Sequence, residues 1–277
     1  MIQHFVLTGD THGRVVGRLE SIRRNLPTYE PDKTAVIILG DAGINFWLNK
    51  SDIKNKKIIS SYGYTIYCIR GNHEERPENL TTMEILYDES VKGNVWYEPD
   101  FPLIKYFMDG GEYEINGHKV LVIGGAYSVD KWWRLQRAQG SFSGWFKDEQ
   151  LTDEEMVKIA TKVMDKSYDF VFTHTAPISF EPRDLFLDFV DQSTVDKSME
   201  LWLNDISSMM NWKVWCFGHY HADRIEAPGV EQFYYHYEDM ETVWNRWYGE
   251  CTYEKEKDKL TKSPYMEFLI DQGAELI

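Results

Sequence analysis

The sequence predicts an α/β fold, because strand-like runs and helix-like patterns alternate along its 277 residues. Several of the runs are apolar throughout, which is typical of strands that are buried on both faces. A chain of this length suits one large domain or a domain with an added segment. The predicted strands are Gln3–Thr8, Ala35–Leu39, Thr65–Ile69, Lys119–Ile123, Phe170–Phe172 and Lys213–Phe217.

Three helices are predicted between these strands from apolar side chains that recur on one helix face. The second helix also has a start signal, since Thr152 and Glu155 have the spacing of a capping box. The three apolar stripes are Val15, Leu19, Ile22 and Leu26; Met156, Ile159 and Val163; and Val195, Met199, Trp202, Ile206 and Met209.

The composition changes near the carboxyl end of the chain. From about Glu238 onward the sequence is rich in charge, with aromatic residues such as Trp244 and Tyr253 scattered through it. We therefore predict one domain over residues 1–237 and a C-terminal elaboration without an assigned structure over residues 238–277.

Charge and cysteine content restrict the function and the compartment. The chain has 30 basic and 45 acidic residues and a net charge of −15, which opposes broad binding to DNA or RNA. The three cysteines show no pairing pattern, which favours a reducing compartment. The N-terminus lacks the features of a signal peptide, and no apolar run is long enough for a membrane span. We expect a cytoplasmic protein without a membrane segment.

Asp, Asn or His follows five of the predicted strands directly. Open α/β sheets place their sites at the carboxyl ends of strands, and glycines let the chain turn sharply there. Each fragment alone is weak evidence, because Gly-Asp after a strand is ordinarily just a turn. Their joint occurrence predicts a metal site. The five motifs are Gly9-Asp10-Thr11-His12-Gly13, Gly40-Asp41-Ala42-Gly43, Arg70-Gly71-Asn72-His73-Glu74, Thr173-His174 and Gly218-His219-Tyr220-His221.

The order of these motifs, from Asp10 to His221, closely resembles the calcineurin-like metallophosphoesterase superfamily, in its bacterial and phage type. The resemblance implies a metallo-dependent phosphatase fold, in which helices flank a β-sandwich of two sheets. It also implies two divalent metal ions and a general acid, His73. The implied ligands are Asp10, His12 and His221 for the first ion, Asn72, His174 and His219 for the second, and Asp41 as the bridge between them.

The ligand types agree with that assignment. Mixed imidazole and carboxylate ligands suit Mn²⁺, Fe, Zn²⁺ or Co²⁺ better than Ca²⁺, which prefers oxygen ligands alone. With two such ions and two carboxylates the site keeps a charge of about +2, which attracts a phosphate even on an acidic protein. Paired ions can supply hydroxide that attacks phosphorus directly, and His73 can protonate the leaving group.

Two features depart from the protein Ser/Thr phosphatase branch of the superfamily. Ile44 and Asn45 stand where that branch has an Asp and an Arg. The missing Asp is expected to orient the general-acid histidine, and Glu74 is one candidate to replace it. The missing Arg is expected to hold phosphate.

Arg134 is the candidate for that second role. It follows the segment Gly124–Asp130, which is similar to a segment of bacterial and phage metallophosphoesterases, and its planar guanidinium suits phosphate binding. The alternative is a solvent-exposed helix face whose tryptophans pack on the protein.

The sequence therefore predicts a metal-dependent phosphoesterase that acts on a small-molecule or protein-bound phosphate monoester or diester. Two alternatives on the same fold are a nuclease and a non-catalytic interaction scaffold. The net charge of −15 opposes the nuclease, and the complete ligand set opposes the scaffold.

Overall fold

The computed structural model describes residues 1–138, 142–188 and 190–249. They form two β-sheets with helices on both outer sides. The strands are β1 His4–Thr8, β2 Thr34–Ile38, β3 Thr65–Cys68, β4 Glu84–Asp88, β5 Gly93–Tyr97, β6 Ile104–Phe107, β7 Gly111–Ile115, β8 His118–Ile123, β9 Ser167–Thr173, β10 Asn211–Phe217, β11 Arg224–Ala227, β12 Val230–Gln232 and β13 Tyr237–Asp239. The helices are α1 Val15–Asn25, α2 Lys50–Ser60, α3 Lys131–Ala138, α4 Asp153–Val163, α5 Ser198–Met209 and α6 Met240–Tyr248.

Each sheet has a parallel centre and antiparallel edges. The first sheet has the order β13-β1-β2-β3-β6-β5-β4, and its strands β1, β2, β3 and β6 are parallel. The second sheet has the order β11-β12-β10-β9-β8-β7, with β8, β9, β10 and β12 parallel. Parallel strands end at a common edge, so the loops after β1, β2 and β3 share one edge, and those after β9 and β10 share another.

Three apolar cores hold the layers together. The central core lies between the sheets, where side chains such as Phe5 and Tyr67 pack with Phe170 and Val214. A second core joins the second sheet to α4 and α5, and a third joins the first sheet to α1 and α2. The predicted two-sheet sandwich with flanking helices is therefore confirmed.

All six predicted strands and all three predicted helices are present, with shifts of a few residues at their ends. The third predicted helix begins at Ser198 rather than Val195, because residues Gln192–Thr194 form a separate 3₁₀ turn. The other seven described strands, β4 to β7 and β11 to β13, lie outside the predicted runs, and the edge strands β4 and β11 among them lack a buried apolar run. None of the described helices combines the length and the apolar character that crossing a bilayer requires.

Residues 237–249 continue the sandwich. Strand β13 pairs with β1 in antiparallel register, and Val243 of α6 packs into the central core. The predicted boundary after residue 237 therefore falls within a strand of the first sheet. The rest of the predicted elaboration, residues 250–277, lies outside the described residues, as does Cys251; Cys68 and Cys216 are buried free thiols.

The capping box of α4 is present. Thr152 Oγ1 accepts a hydrogen bond from Glu155 N at 3.3 Å, and Glu155 Oε2 accepts one from Thr152 N at 2.8 Å. We expect Thr152→Ala to lower the free energy of unfolding by about 1 kcal/mol, because it leaves a helix N–H group without its partner. Thr161→Ala, at an exposed position in the same helix, should cost less, since alanine favours helix. Urea denaturation measures both variants, and equal losses would contradict a capping role.

Candidate metal centre

Asp41 lies at the centre of a cluster formed by the five predicted loops. Its Oδ1 is 3.5 Å from His174 Nε2, and its Oδ2 is 3.8 Å from His12 Nδ1 and 3.7 Å from His73 Nε2. The carboxylate is buried, and its Oδ1 also accepts a hydrogen bond from the backbone N–H of His73. The Asp41 side chain, from the second motif, thus contacts residues of the first, third and fourth motifs.

Asp10 lies beside it, with His12 and His221. Asp10 Oδ2 is 3.3 Å from His221 Nε2 and 3.7 Å from His12 Nε2, and the two imidazole nitrogens are 2.9 Å apart. These three residues are the ligands predicted for the first ion.

The three residues predicted for the second ion also lie together. Asn72 Oδ1 is 2.9 Å from His174 Nε2, and the rings of His174 and His219 meet edge to face with centroids 5.0 Å apart. The backbone N–H of His219 donates to Asp10 Oδ1 at 2.9 Å, which links this group to the first. The structure therefore brings all seven predicted ligands into one cluster.

The local backbone permits this crowding. A methyl group on Gly71 would overlap Asp41 Oδ1, and one on Gly218 would overlap Asp10 Oδ1, so only glycine lets these loops approach. Four of the candidate ligands adopt positive φ angles that non-glycine residues rarely adopt. Backbone strain of this kind clusters at functional sites. The four residues are His12 at 45°, Asp41 at 50°, His219 at 68° and His221 at 56°.

Electrostatics keep the central groups in the form that binds metal. Burial alone would raise the pKa of Asp41, but His73, His174 and His12 lower it to about 2. Burial likewise opposes ionisation of Asp10, yet its contacts with His221 and His174 lower its pKa overall. Burial holds the pKa of His219 well below its usual value. Both carboxylates are thus ionised and His219 is neutral near pH 7, as ligation requires.

The donor set fits bound metal ions. Asp10 Oδ2 is buried and makes no well-formed hydrogen bond among the described residues, although His221 Nε2 and His12 Nε2 lie 3.3 Å and 3.7 Å from it. A cation bound between these atoms would satisfy the oxygen. Lone pairs of imidazole and carboxylate groups converge here, the ligand type that borderline transition ions prefer. Three overlapping groups have their ligand atoms within 4.8 Å of one another: Asp10, His12 and His221; His12, Asp41 and His73; and Asp10, Asp41 and His174.

A supporting layer orients two of the candidate ligands. His174 Nδ1 lies 2.8 Å from the carbonyl oxygen of Leu39, so donation there leaves Nε2 free to bind a metal. Asn72 Nδ2 donates to Ser128 Oγ at 2.9 Å, which turns the Asn72 oxygen toward His174, and Ser128 in turn donates to Glu149. The sequence did not predict this role for Ser128 and Glu149. The feature of the sequence that could have indicated a role for Ser128 is the segment Gly124–Asp130, in which it lies.

Arg134 lies against His73. Its Nη2 is 2.6 Å from His73 Nδ1 and 3.1 Å from His73 Nε2, and its Nε donates to Asp130 at 2.8 Å. Trp132 and Trp133 of the same helix are 61% and 57% exposed, so α3 turns its arginine inward and its tryptophans outward. Burial and the nearby guanidinium both lower the pKa of His73, while Asp41 opposes them.

Glu74, one candidate for the carboxylate that orients His73, is bonded elsewhere. The two oxygens of Glu74 accept hydrogen bonds from the backbone N–H groups of Gly43 and Gly71, at 3.1 Å and 3.0 Å. Burial raises the pKa of this carboxyl to about 7. Glu74 therefore fastens the second and third loops together.

The calcineurin-like phosphoesterase family matches residues 3–223 of this chain, a range that contains all seven candidate ligands, His73 and Arg134. No curated protein matches the chain. Among solved structures, TT1561 of Thermus thermophilus is similar over 84% of this chain and 89% of its own, at 11% identity and a TM-score of 0.39. Because the family match covers most of the 277 residues, the chain belongs to the calcineurin-like phosphoesterase family.

Proposed function

We propose that this protein hydrolyses phosphate esters with two divalent transition-metal ions, of which Mn²⁺ is the first candidate and Fe, Zn²⁺ and Co²⁺ are others. Asp10, His12 and His221 would hold one ion, Asn72, His174 and His219 the other, and Asp41 both. When bound, such ions supply Lewis-acid stabilisation of phosphate charge and an activated water for direct attack. The substrate is a phosphate ester, either a small molecule or a group on a protein.

The carrying observation is that the seven side chains lie in one cluster, in which the carboxylates of Asp41 and of the buried Asp10 face imidazole nitrogens. In a purely structural cluster, the buried Asp10 Oδ2 would stay without a well-formed hydrogen bond, which costs free energy. A bound cation removes that cost. The completeness of the set favours an enzyme over a non-catalytic scaffold.

His73 and Arg134 are proposed to act on the substrate. Arg134 Nη2 donates to His73, but a phosphate oxygen is a stronger acceptor. A hydrogen bond between two charged groups is stronger than one from the guanidinium to a neutral imidazole ring. Substrate binding would thus draw the guanidinium to phosphate and free a nitrogen of His73. The substrate's negative charge would then favour protonation of His73, which allows it to protonate the leaving oxygen.

A screen with metal tests this function. We expect the protein, stripped by a chelator and resupplied with Mn²⁺, to hydrolyse at least one of four probes: an aryl monoester, an aryl diester, a nucleotide and a phosphopeptide. The chelated protein should lose this activity, because the carboxylates and histidines alone supply no Lewis acid.

The pattern of turnover identifies the class. Cleavage of the monoester alone indicates a monoesterase, and cleavage of the diester alone indicates a diesterase. Degradation of a single-stranded oligonucleotide would favour the nuclease. Tight uptake of two ions without turnover of any probe would contradict the proposal and favour the scaffold.

A further inference from the structure

A cavity of about 510 Å³ opens beside the candidate metal centre. One end is lined by candidate ligands, among them Asp41, Asn72 and His221, and by His73. Its volume falls within the range of pockets that hold whole small molecules and exceeds the need of a phosphate group alone. The remainder of the cavity therefore has room for the group that is esterified to the phosphate.

Another part of the lining is apolar. It comes from the segment that connects β9 to α5 and includes Leu185, Phe186, Leu187, Val190 and Val195. Leu185 and Leu187 are 39% and 49% exposed, although apolar side chains gain from leaving water. A ligand with an apolar body would cover them.

Glu200 is a buried polar residue in the lining of this cavity. It lines the cavity from the first turn of α5 and is only 3% exposed. Its Oε1 accepts a hydrogen bond from Thr175 at 2.7 Å, but its Oε2 is buried and has no hydrogen-bond partner among the described residues. Burial raises the pKa of this carboxyl to about 7, so above pH 7 the ionised form prevails and its unpaired oxygen is an acceptor. A donor on a ligand in the cavity can satisfy it.

The nearby lysine does not change this requirement. Lys197 also lines the cavity, but its ammonium group already pairs with Glu181 at 2.6 Å and lies over the ring of Phe186, 4.5 Å from the centroid. Its charge is therefore satisfied within the protein. The unpaired oxygen of Glu200 therefore calls for an N–H or O–H donor on the ligand, and Lys197 does not call for a second anionic group.

We infer that this cavity binds the leaving group of the substrate and selects phosphate esters whose alcohol combines an apolar body with an N–H or O–H donor for Glu200. The inference rests on the proposed function, because it assigns the substrate class of that same site. Apolar contact with the wall supplies affinity, and the hydrogen bond to Glu200 supplies discrimination.

A matched pair of substrates tests it. 3-(Hydroxymethyl)phenyl phosphate and 3-ethylphenyl phosphate have nearly equal size and leaving-group acidity, and only the first carries a donor. With Mn²⁺ the wild-type protein should prefer the first by about 10-fold or more in kcat/KM, since a site with an unpaired polar group rejects the analogue that lacks its partner. Glu200→Met, which removes the acceptor at similar volume, should bring this ratio to about 1. If Glu200 had only a structural role, its substitution by Met would change kcat/KM for both esters together and leave their ratio unchanged.

Two further variants test the apolar wall. Leu187→Ser lies at an exposed position, so it should fold, and it should lower kcat/KM for the ethylphenyl ester relative to methyl phosphate. Leu201→Ser is the control: this leucine of α5 is 52% exposed and is not among the residues that line the cavity. If Glu200→Met does not fold, the wild-type ratio and Leu187→Ser still decide the question.

A binding measurement separates this inference from the proposed function. Ligand-observed NMR with the metal-free protein should show tighter binding of 3-methoxybenzyl alcohol than of 3-ethylanisole, since only the first of these two methyl ethers carries an O–H donor, and Leu187→Ser should weaken both. Absence of turnover for every ester would overturn the proposed function but not this result. Equal binding of the two ethers, or equal turnover of the two esters, would overturn the inference.

Discussion

Asp41→Asn is expected to lower Mn²⁺-supported hydrolysis by about 10³-fold or more, because it removes several kcal/mol of stabilisation at the centre of the site. The carboxylate lies within 3.8 Å of nitrogens of His12, His73 and His174. An amide in its place loses the negative charge and one acceptor oxygen. Its NH₂ group would also point protons at atoms that must bind cations.

Initial rates and calorimetric titration with Mn²⁺ together measure this effect. Both activity and cation uptake should fall, whereas Asp100→Asn, at an exposed position, should leave both unchanged. Circular dichroism of each variant checks that the fold is retained. Wild-type activity of the Asp41→Asn variant would contradict the proposed role of Asp41 as a ligand of both ions.

The central strands were predictable because they carry unbroken apolar runs, whereas the arrangement in two sheets was implied by the resemblance to the metallophosphoesterases. Strand β2 is buried at every position, which agrees with the apolar run from Ala35 onward that predicted a strand buried on both faces. Strand β4 shows the limit: its residues Glu84–Tyr87 are exposed, and its position at the sheet edge depends on backbone pairing with β5, which no side-chain pattern encodes.

The candidate ligands were predictable from order and spacing, but their surroundings were not. Asn72 could be identified from its motif, whereas its hydrogen bond to Ser128 joins residues 56 positions apart. The same holds for Arg134 and His73, which are 61 positions apart. Such contacts depend on how the loops fold over the sheet edge, and the pattern of a single sequence does not predict that arrangement. Glu74 could not be placed from the sequence for the same reason, since its hydrogen bonds go to the backbone of the second and third loops.

His73→Gln is expected to act on the leaving group rather than on metal uptake. The glutamine amide has no acidic proton to give, so kcat should fall by about 10²–10⁴-fold for benzyl phosphate, whose leaving alkoxide needs one. For 4-nitrophenyl phosphate the loss should be less than about 10-fold, because nitrophenolate is stable without a proton. Initial rates on the two esters, which are of similar size, measure the difference, and calorimetry should show unchanged Mn²⁺ uptake.

The comparison of the two esters also separates two roles that the position of His73 allows, proton donor and metal ligand. Its Nε2 is 3.7 Å from Asp41 Oδ2, and with His12 and Asp41 it forms one of the groups that could hold an ion. If His73 were a ligand, its loss would weaken cation uptake and slow both esters alike. A proton donor gives a selective loss on the poorer leaving group at full occupancy. Arg134→Lys is the matched control, because it keeps the charge beside His73 but loses the planar fork, so it should weaken phosphate binding equally for the two esters.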